Sequence, residues 1–218
     1  MAEKAKNLTD AVKMARAASP QRKFAQTVEI QIALKEIDPK KPEGKIAEDV
    51  ILPHYPGEPK KIIAFADGEL ARKAREAGAE QVLSKADIVE LQKNRRQVKK
   101  LAENFDFSIA QADLMVLIGK ALGPVLGTRG KMPKPITPTA DPAPIMERMK
   151  KSVRIATKEQ LAVNAKIGVE SMSDEQLVAN AKAILDAIER KLGGDLAKVA
   201  SIKIKTTMGK PIEMEVQT

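Results

Sequence analysis

The sequence predicts an α/β protein of two domains: an α+β sandwich assembled from both termini, with a three-layer α/β domain inserted between its halves. Three observations predict it. Both ends of the chain alternate apolar and polar residues with a period of two, the mark of sheets with one wet face. The middle instead has short, continuous apolar runs separated by helical stretches, which implies βαβ units and a parallel sheet covered on both faces. Breaks rich in Pro and Gly lie between the two patterns.

Residues 7–18 read as a helix, with Ala11, Val12, Met14, Ala15 and Ala18 on one side and Ser19-Pro20 ending it. Val28, Ile30, Ile32 and Leu34 then alternate with Thr27, Glu29, Gln31 and Ala33, a strand with one buried face. A polar loop over 38–44 leads to a partner strand at 46–52, and Pro53, Pro56, Gly57 and Pro59 break the chain. Residues 62–66 form a short apolar strand, Asp67-Gly68 turns, and 69–77 are helical. A second strand at 81–83, helical stretches from 86 to 104 and a third strand at 105–109 follow. A Gly/Pro loop and a short helix near 144–151 close this segment.

Alternation returns at Val153. Leu161, Val163, Ala165, Ile167 and Val169 face one way, and Ala162, Asn164, Lys166 and Gly168 the other. Ser173 and Gln176 form a capping box, each able to satisfy the other's free backbone N–H. The helix it opens buries Leu177, Ala181, Ile184, Leu185, Ile188 and Leu192, and Gly193-Gly194 ends it. The last strands alternate Ile202 and Ile204 with Lys203 and Lys205, then Ile212, Met214 and Val216 with Glu213 and Glu215. A hairpin centred on Gly209 puts Lys205 opposite Glu213, Lys203 opposite Glu215 and Ile204 opposite Met214. The domains are expected at 1–62 with 158–218, and at 63–157. Their crossing segments, near 56–61 and 152–158, are expected to act as a hinge.

Lys and Arg exceed Asp and Glu by 38 to 29, a net charge of +9. Residues 64–155 hold 17 of the bases and 11 of the acids, so the middle carries +6 and the flanks +3. A basic chain of this size most often meets nucleic acid. No apolar run is long enough to cross a bilayer, and the N-terminus lacks a signal-peptide core, so an intracellular, membrane-free protein is expected. The absence of cysteine excludes disulfides and thiolate chemistry. The one histidine, His54, sits in a Pro-rich turn and reads as structural. No elbow serine, histidine dyad or isolated acid pair marks a catalytic site.

The most distinctive segment is the 27 residues from Leu114 to Ala140, which contain no acid. Within it the Gly- and Pro-punctuated loop 123–135, with the neighbouring Lys120, presents Arg129, Lys131 and Lys134, cations suited to phosphate. A nucleotide cradle almost fits at Gly130-Lys131, but Val125 replaces its first glycine and Met132 its metal-binding hydroxyl. No dinucleotide-binding glycine turn occurs. A nucleotide-binding enzyme domain with an RNA-binding flank is therefore the alternative reading, and a binding protein without catalytic residues, metal or cofactor the preferred one.

Three strings stand out together: Arg22-Lys-Phe-Ala-Gln-Thr-Val-Glu29, Leu122-Gly-Pro-Val-Leu-Gly-Thr-Arg-Gly-Lys-Met-Pro133 and Ser201-Ile-Lys-Ile-Lys-Thr-Thr-Met-Gly209. Their order and spacing closely resemble the ribosomal protein L-one family over essentially the whole chain, more its archaeal than its bacterial branch. The resemblance implies a split RNA-binding domain with a Rossmann-like insert. It further implies a cytoplasmic protein on the large ribosomal subunit, monomeric when free, that binds the rRNA of the mobile stalk near the tRNA exit site. Release of deacylated exit-site tRNA and repression of the protein's own mRNA are also implied.

By the family pattern, Lys23, Phe24, Thr27 and Glu29 match one side of the principal RNA site. Ser201, Thr206, Thr207, Met208 and Gly209 match the other, with Asn164, Lys166 and Gly168 on an adjoining strand. Lys120, Arg129, Lys131 and Lys134 are expected to make secondary RNA contacts. Gln26 departs from the pattern, standing where bacterial members usually carry an acid. Hydroxyls suit a ribose 2′-OH, and aromatics, at 2% of the chain, are too few for base stacking on an open sheet.

Overall fold

The computed structural model describes residues 4–37, 46–54, 56, 57, 59–157, 160–194 and 196–215. The polar loop expected at 38–44 and Val216 of the last strand lie outside them. The chain divides into two compact units, Met1–Glu58 with Lys151–Thr218, and Pro59–Lys150.

The terminal unit is built on a mixed sheet of five strands. Strand β1 (Lys4–Ala5) precedes helix α1 (Leu8–Ala17), and β2 (Thr27–Leu34) follows. The chain returns to this unit with β9 (Ala162–Val169), helix α8 (Asp174–Lys191), β10 (Val199–Thr206) and β11 (Ile212–Met214). The strand order is β1-β11-β10-β2-β9, so β2 sits between the two long C-terminal strands, antiparallel to both. Val28, Ile30, Ile32 and Leu34 are buried, as the alternation predicts, together with Val163, Ile167, Ile202 and Ile204. Helices α1 and α8 close this apolar face with Ala11, Val12, Ala15, Leu177, Ala181, Ile184 and Ile188. An ion pair between Arg16 and Asp174, and a bond from Arg16 Nη2 to the Glu170 carbonyl at 2.9 Å, tie the two helices together. Ser173 and Gln176 form both bonds of the expected capping box.

Four expectations change here. The strand at 46–52 is present as β3 (Ala47–Ile51), but it pairs with β8 (Ser152–Ala156) and not with β2, both of whose edges are taken. Because β8 pairs with β3, residues 152–156 form a strand of the terminal unit, where a crossing segment of the insert was expected. The final hairpin is centred nearer Met208: Lys203 lies opposite Glu213, Ile202 opposite Met214 and Ile204 opposite Ile212. The turn closes early, with Gly209 N bonded to the Thr206 carbonyl, and Pro211, which has no N–H, lies outside the ladder. A slip of two residues keeps every side chain on its expected face, which is why alternation alone could not detect it. Finally, Gly168 is buried, because the β2–β9 register shifts by one between Val28 and Glu29. A Cβ on Gly168 would stand 2.5 Å from Leu177 Cδ2.

The inserted unit has a four-stranded, fully parallel sheet in the order β5-β4-β6-β7. Its elements are β4 (Ile62–Phe65), α2 (Gly68–Glu76), β5 (Gln81–Leu83), α3 (Lys85–Lys93), α4 (Arg95–Asn104), β6 (Phe107–Gln111), α5 (Met115–Ala121), α6 (Gly123–Leu126), β7 (Lys134–Ile136) and α7 (Ala143–Lys150). Ile63, Phe65 and Ala110 pack on one face with Ile88, Val98, Ile118 and Leu126 from α3 to α6. Ile62, Ala64 and Ile109 pack on the other with Ala74 of α2 and Met146 and Met149 of α7. The third strand starts at Phe107, not Phe105, because Phe105 is spent as the buried, extended cap of α4. The expected basic loop is regular at both ends, with α6 at its start and β7 at its end, and irregular over 127–133 between them.

One buried polar residue stitches the terminal unit and was not anticipated. Asn180, on the apolar face of α8, is fully buried; it donates to the Ile167 carbonyl at 2.7 Å and accepts from His54 N at 2.9 Å. Asn180→Ala strands both backbone groups, and a buried unsatisfied partner costs about 1–3 kcal/mol. Urea denaturation is expected to show a loss of about 2–4 kcal/mol from these two stranded groups, well above the effect of Lys182→Ala at an exposed position of the same helix.

Candidate nucleic-acid interface

The uncovered face of the terminal sheet carries Thr27, Glu29, Gln31, Asn164, Lys166, Ser201, Lys203, Lys205 and Glu213, each exposed or half-exposed. The register sorts them into cross-strand rows: Lys205, Glu29 and Lys166 form one, and Glu213, Lys203, Gln31 and Asn164 the next. Carboxylates thus alternate with ammonium groups, and the face has no strong field of one sign. It offers instead a flat array of donors and acceptors.

At the end of this face, the start of β2 and the turn after β10 are bonded to each other. Thr207 N donates to the Thr27 carbonyl at 3.0 Å, and Thr207 Oγ1 accepts from Thr27 N at 3.0 Å. Beneath them lies Gln26, with no exposed surface. Its amide nitrogen donates to Ser19 Oγ at 2.8 Å and the Pro20 carbonyl at 2.7 Å, while its side-chain oxygen accepts from Met208 N at 3.1 Å. Ser19 Oγ also accepts from Thr206 Oγ1 at 2.9 Å. A carboxylate at position 26 could accept from Met208 N but could not donate, so the chain's departure from the family pattern is matched by its surroundings. A Cβ on Gly209 would collide with the Thr206 hydroxyl, so the close turn requires glycine there.

This framework separates the expected site residues into two groups. Lys23, Phe24, Thr207, Met208 and Asn164 are exposed, and Thr27, Glu29, Lys166, Ser201 and Gly209 are partly so. Phe24 and Met208 each keep 53% of their surface in solvent, and the Met208 backbone is held by the Gln26 side chain. Thr206 and Gly168 are buried, so they shape the site from below and present no side chain at its surface. Gln26, the hub of the arrangement, was not selected from the sequence; its place immediately before a half-buried strand, a neutral amide where bacterial members usually carry an acid, was the available signal.

The expected cations of the inserted unit divide likewise. Lys120 and Lys134 are exposed. Arg129 pairs with Glu103 at 2.9 Å. Lys131 turns inward: its ammonium donates to the Ala102 carbonyl at 2.9 Å and to that of Phe105, and lies 5.3 Å from the Phe105 ring centroid. Burial holds the Lys131 ammonium below the ordinary lysine range, opposed by Asp106 and reinforced by Arg129 and Lys60. The Lys131 ammonium is therefore engaged with the carbonyls that end α4, where the sequence suggested a cation offered to phosphate.

The nucleotide alternative would use the carboxyl ends of the parallel strands. The cleft there, about 350 Å³, is lined by Asp67, Ser84, Asp87 and Arg75. Asp67 accepts from Lys85 N at 3.3 Å, and bonds from the Ser84 backbone and hydroxyl hold the Asp87 carboxyl below its usual range. Two carboxylates at the mouth repel a phosphate. Among the described residues no group of His, Asp and Glu could hold a metal ion, and no helix is long and apolar enough to cross a membrane.

Lys131→Ala is expected to destabilise the protein by about 1–3 kcal/mol by freeing two carbonyls, measured by chemical denaturation. RNA affinity should change less than about threefold once the variant is folded.

The Large ribosomal subunit protein uL1 of Thermococcus kodakarensis is 45% identical over 216 residues, covering 99% of this chain and 100% of the relative. That of Archaeoglobus fulgidus is 44% identical over 209 residues, covering 96% and 95%. That of Methanothermobacter thermautotrophicus is 43% identical over 202 residues, covering 93% and 95%. The model of the Ribosomal protein L1p/L10e family matches residues 13–210, nearly the full length of both units, and the chain belongs to that family.

Proposed function

We propose that this chain is a non-enzymatic protein of the large ribosomal subunit that binds rRNA through the open face and tip of its terminal sheet. The observation that carries the reading is the pair of exposed apolar side chains Phe24, two residues before Gln26 in the chain, and Met208, whose backbone N–H is bonded to the Gln26 side chain. An apolar side chain on backbone that is already fixed loses only its own rotamer freedom on binding. Around them Thr27, Thr207 and Ser201 supply hydroxyls for ribose, and Glu29 can accept a 2′-OH or base amino proton. Lys23 supplies a phosphate contact. The balanced rows of Lys and Glu imply that a folded RNA is chosen by fit, since the segments flanking residues 64–155 hold only 21 bases against 18 acids.

In this reading the RNA is the stalk rRNA near the tRNA exit site, the terminal unit binds it, and the inserted unit serves release of deacylated tRNA. A similar fold in the protein's own mRNA would occupy the same tip and repress translation. The free protein is a cytoplasmic monomer that joins the subunit through this surface. Family membership and the geometry of the tip support the rRNA assignment; the tRNA and mRNA roles rest on resemblance.

Met208→Ala tests the tip directly. Only its backbone N–H enters the network, so stability should be unchanged while affinity for a stalk rRNA fragment falls about five- to thirtyfold, the equivalent of burying about 1–2 kcal/mol of apolar surface. Lys203→Ala, in a solvated cross-strand row, should cost less than about 1 kcal/mol in binding. Isotherms at matched salt with melting curves decide it: a larger effect at Lys203 places the site elsewhere.

Replacing residues 59–150 by a short Gly/Ser linker is expected to leave the terminal unit folded and its rRNA affinity within about threefold, measured by circular dichroism and filter binding. A folded but non-binding product would place the primary contacts in the insert.

A further inference from the structure

Helix α4 opens on Arg95 and Arg96 and continues with Lys99 and Lys100. With Lys93 at the end of α3, residues 91–102 hold these bases and no acid. All five are exposed, and none makes an ion pair among the described residues. Elsewhere on the inserted unit several bases are answered: Arg72 by Glu76, Lys73 by Glu69, Lys61 by Glu80 and Lys60 by Asp106.

The arrangement opposes the helix's own stability. Cations in a first turn face the positive end of the helix dipole, and here no acid lies in that turn to offset them. Arg95 with Lys99, and Arg96 with Lys100, are like charges four residues apart, which repel. Glu103, the only acid of the helix, could have paired back to Lys99, but Arg129 holds it at 2.9 Å. Asn94 alone supports the start, accepting from Arg96 N at 3.2 Å and Gln97 N at 3.3 Å. Burial cannot account for the cluster either, since from Asn94 to Lys100 only Val98 is buried. A polyanion laid along the first two turns would relieve both the dipole and the like-charge terms at once.

We infer that the first two turns of α4, with Lys93, form a phosphate-backbone contact surface for RNA, separate from the sheet tip. The inference rests on the chain's acting on RNA but not on the tip's being its specific site. Among the described residues the surface has no aromatic side chain, and its amides are Gln97 and Asn94, whose oxygen caps the helix, so it contacts backbone and tolerates sequence. Its place is not the Gly/Pro loop, where Arg129 and Lys131 are consumed by Glu103 and by the carbonyls that end α4.

The test uses the full chain and a 30-base-pair RNA duplex of arbitrary sequence, followed by fluorescence anisotropy across a salt series. Changing Arg95, Arg96, Lys99 and Lys100 together to Gln is expected to weaken duplex binding at least about tenfold at low salt and to flatten log K against log salt by about 2–3. The same variant should melt at or above the parent's temperature, because repulsion is removed. Changing the paired Lys60, Lys61, Arg72 and Lys73 to Gln removes the same charge and should cost less than about threefold. Lys99→Gln/Lys100→Gln, which leaves the first turn and its cap intact, should give about half the slope change. The inference is overturned if that pair leaves the slope unchanged, if the charge-matched control loses as much as the α4 variant, or if the parent prefers phosphatidylglycerol vesicles to the duplex. Because the duplex is arbitrary, a Met208→Ala variant that fails to lose stalk-RNA affinity sinks the tip assignment and leaves this result untouched.

Discussion

Gln26 is the interaction on which the candidate interface depends. A single carboxamide, removed from water at the entrance to β2, uses two donated bonds to hold the end of α1 and one accepted bond to hold the 206–209 turn. Its own carbonyl accepts from Glu170 N at 2.9 Å, which fixes the exit of β9 as well. Three segments far apart in sequence therefore meet at one residue, two of them at a side chain that can both donate and accept. In a buried setting each such bond is enforced by the cost of leaving its partner unmade. The turn above can then carry exposed residues, Thr207 and Met208, whose positions are set from below.

That division explains which parts of the molecule could be read from the sequence. Strands β2 and β9 and helix α8 were legible because burial imposes a period: Val28 to Leu34 alternate, and Leu177 to Ile188 recur at helical spacing behind the Ser173–Gln176 box. Register was not, because a two-residue slip between β10 and β11 preserves every face. Pairing of β3 with β8 was not legible either, since an alternating strand does not name its partner.

The site was legible in part for a related reason. Exposed residue types, such as Phe24 and Met208, can be judged for what they offer a ligand. Whether a polar residue faces out or in depends on neighbours remote in sequence. Lys131 and Thr206 both look like ligand groups, yet one caps α4 and the other bonds Ser19. Gln26 looks ordinary in the sequence and organises the whole tip. Short polar side chains near strand ends are where local reading fails, because their partners come from other elements.

The two surfaces differ in how their binding capacity is held. At the tip every polar group beneath the exposed side chains is satisfied, so its value to a ligand is shape, and salt should affect it weakly. On α4 the bases lack local partners and the helix bears repulsion that only an external anion removes, so its value is charge, and salt should affect it strongly. Placing fit on one unit and charge on the other lets RNA be attracted broadly and selected narrowly. A single surface doing both would have to bring a strong field to the Glu29 and Glu213 rows, where it would neutralise the carboxylates that make the pattern selective. Separate units avoid that conflict, and the uneven distribution of charge along the chain, +6 in the middle against +3 in the flanks, follows from it.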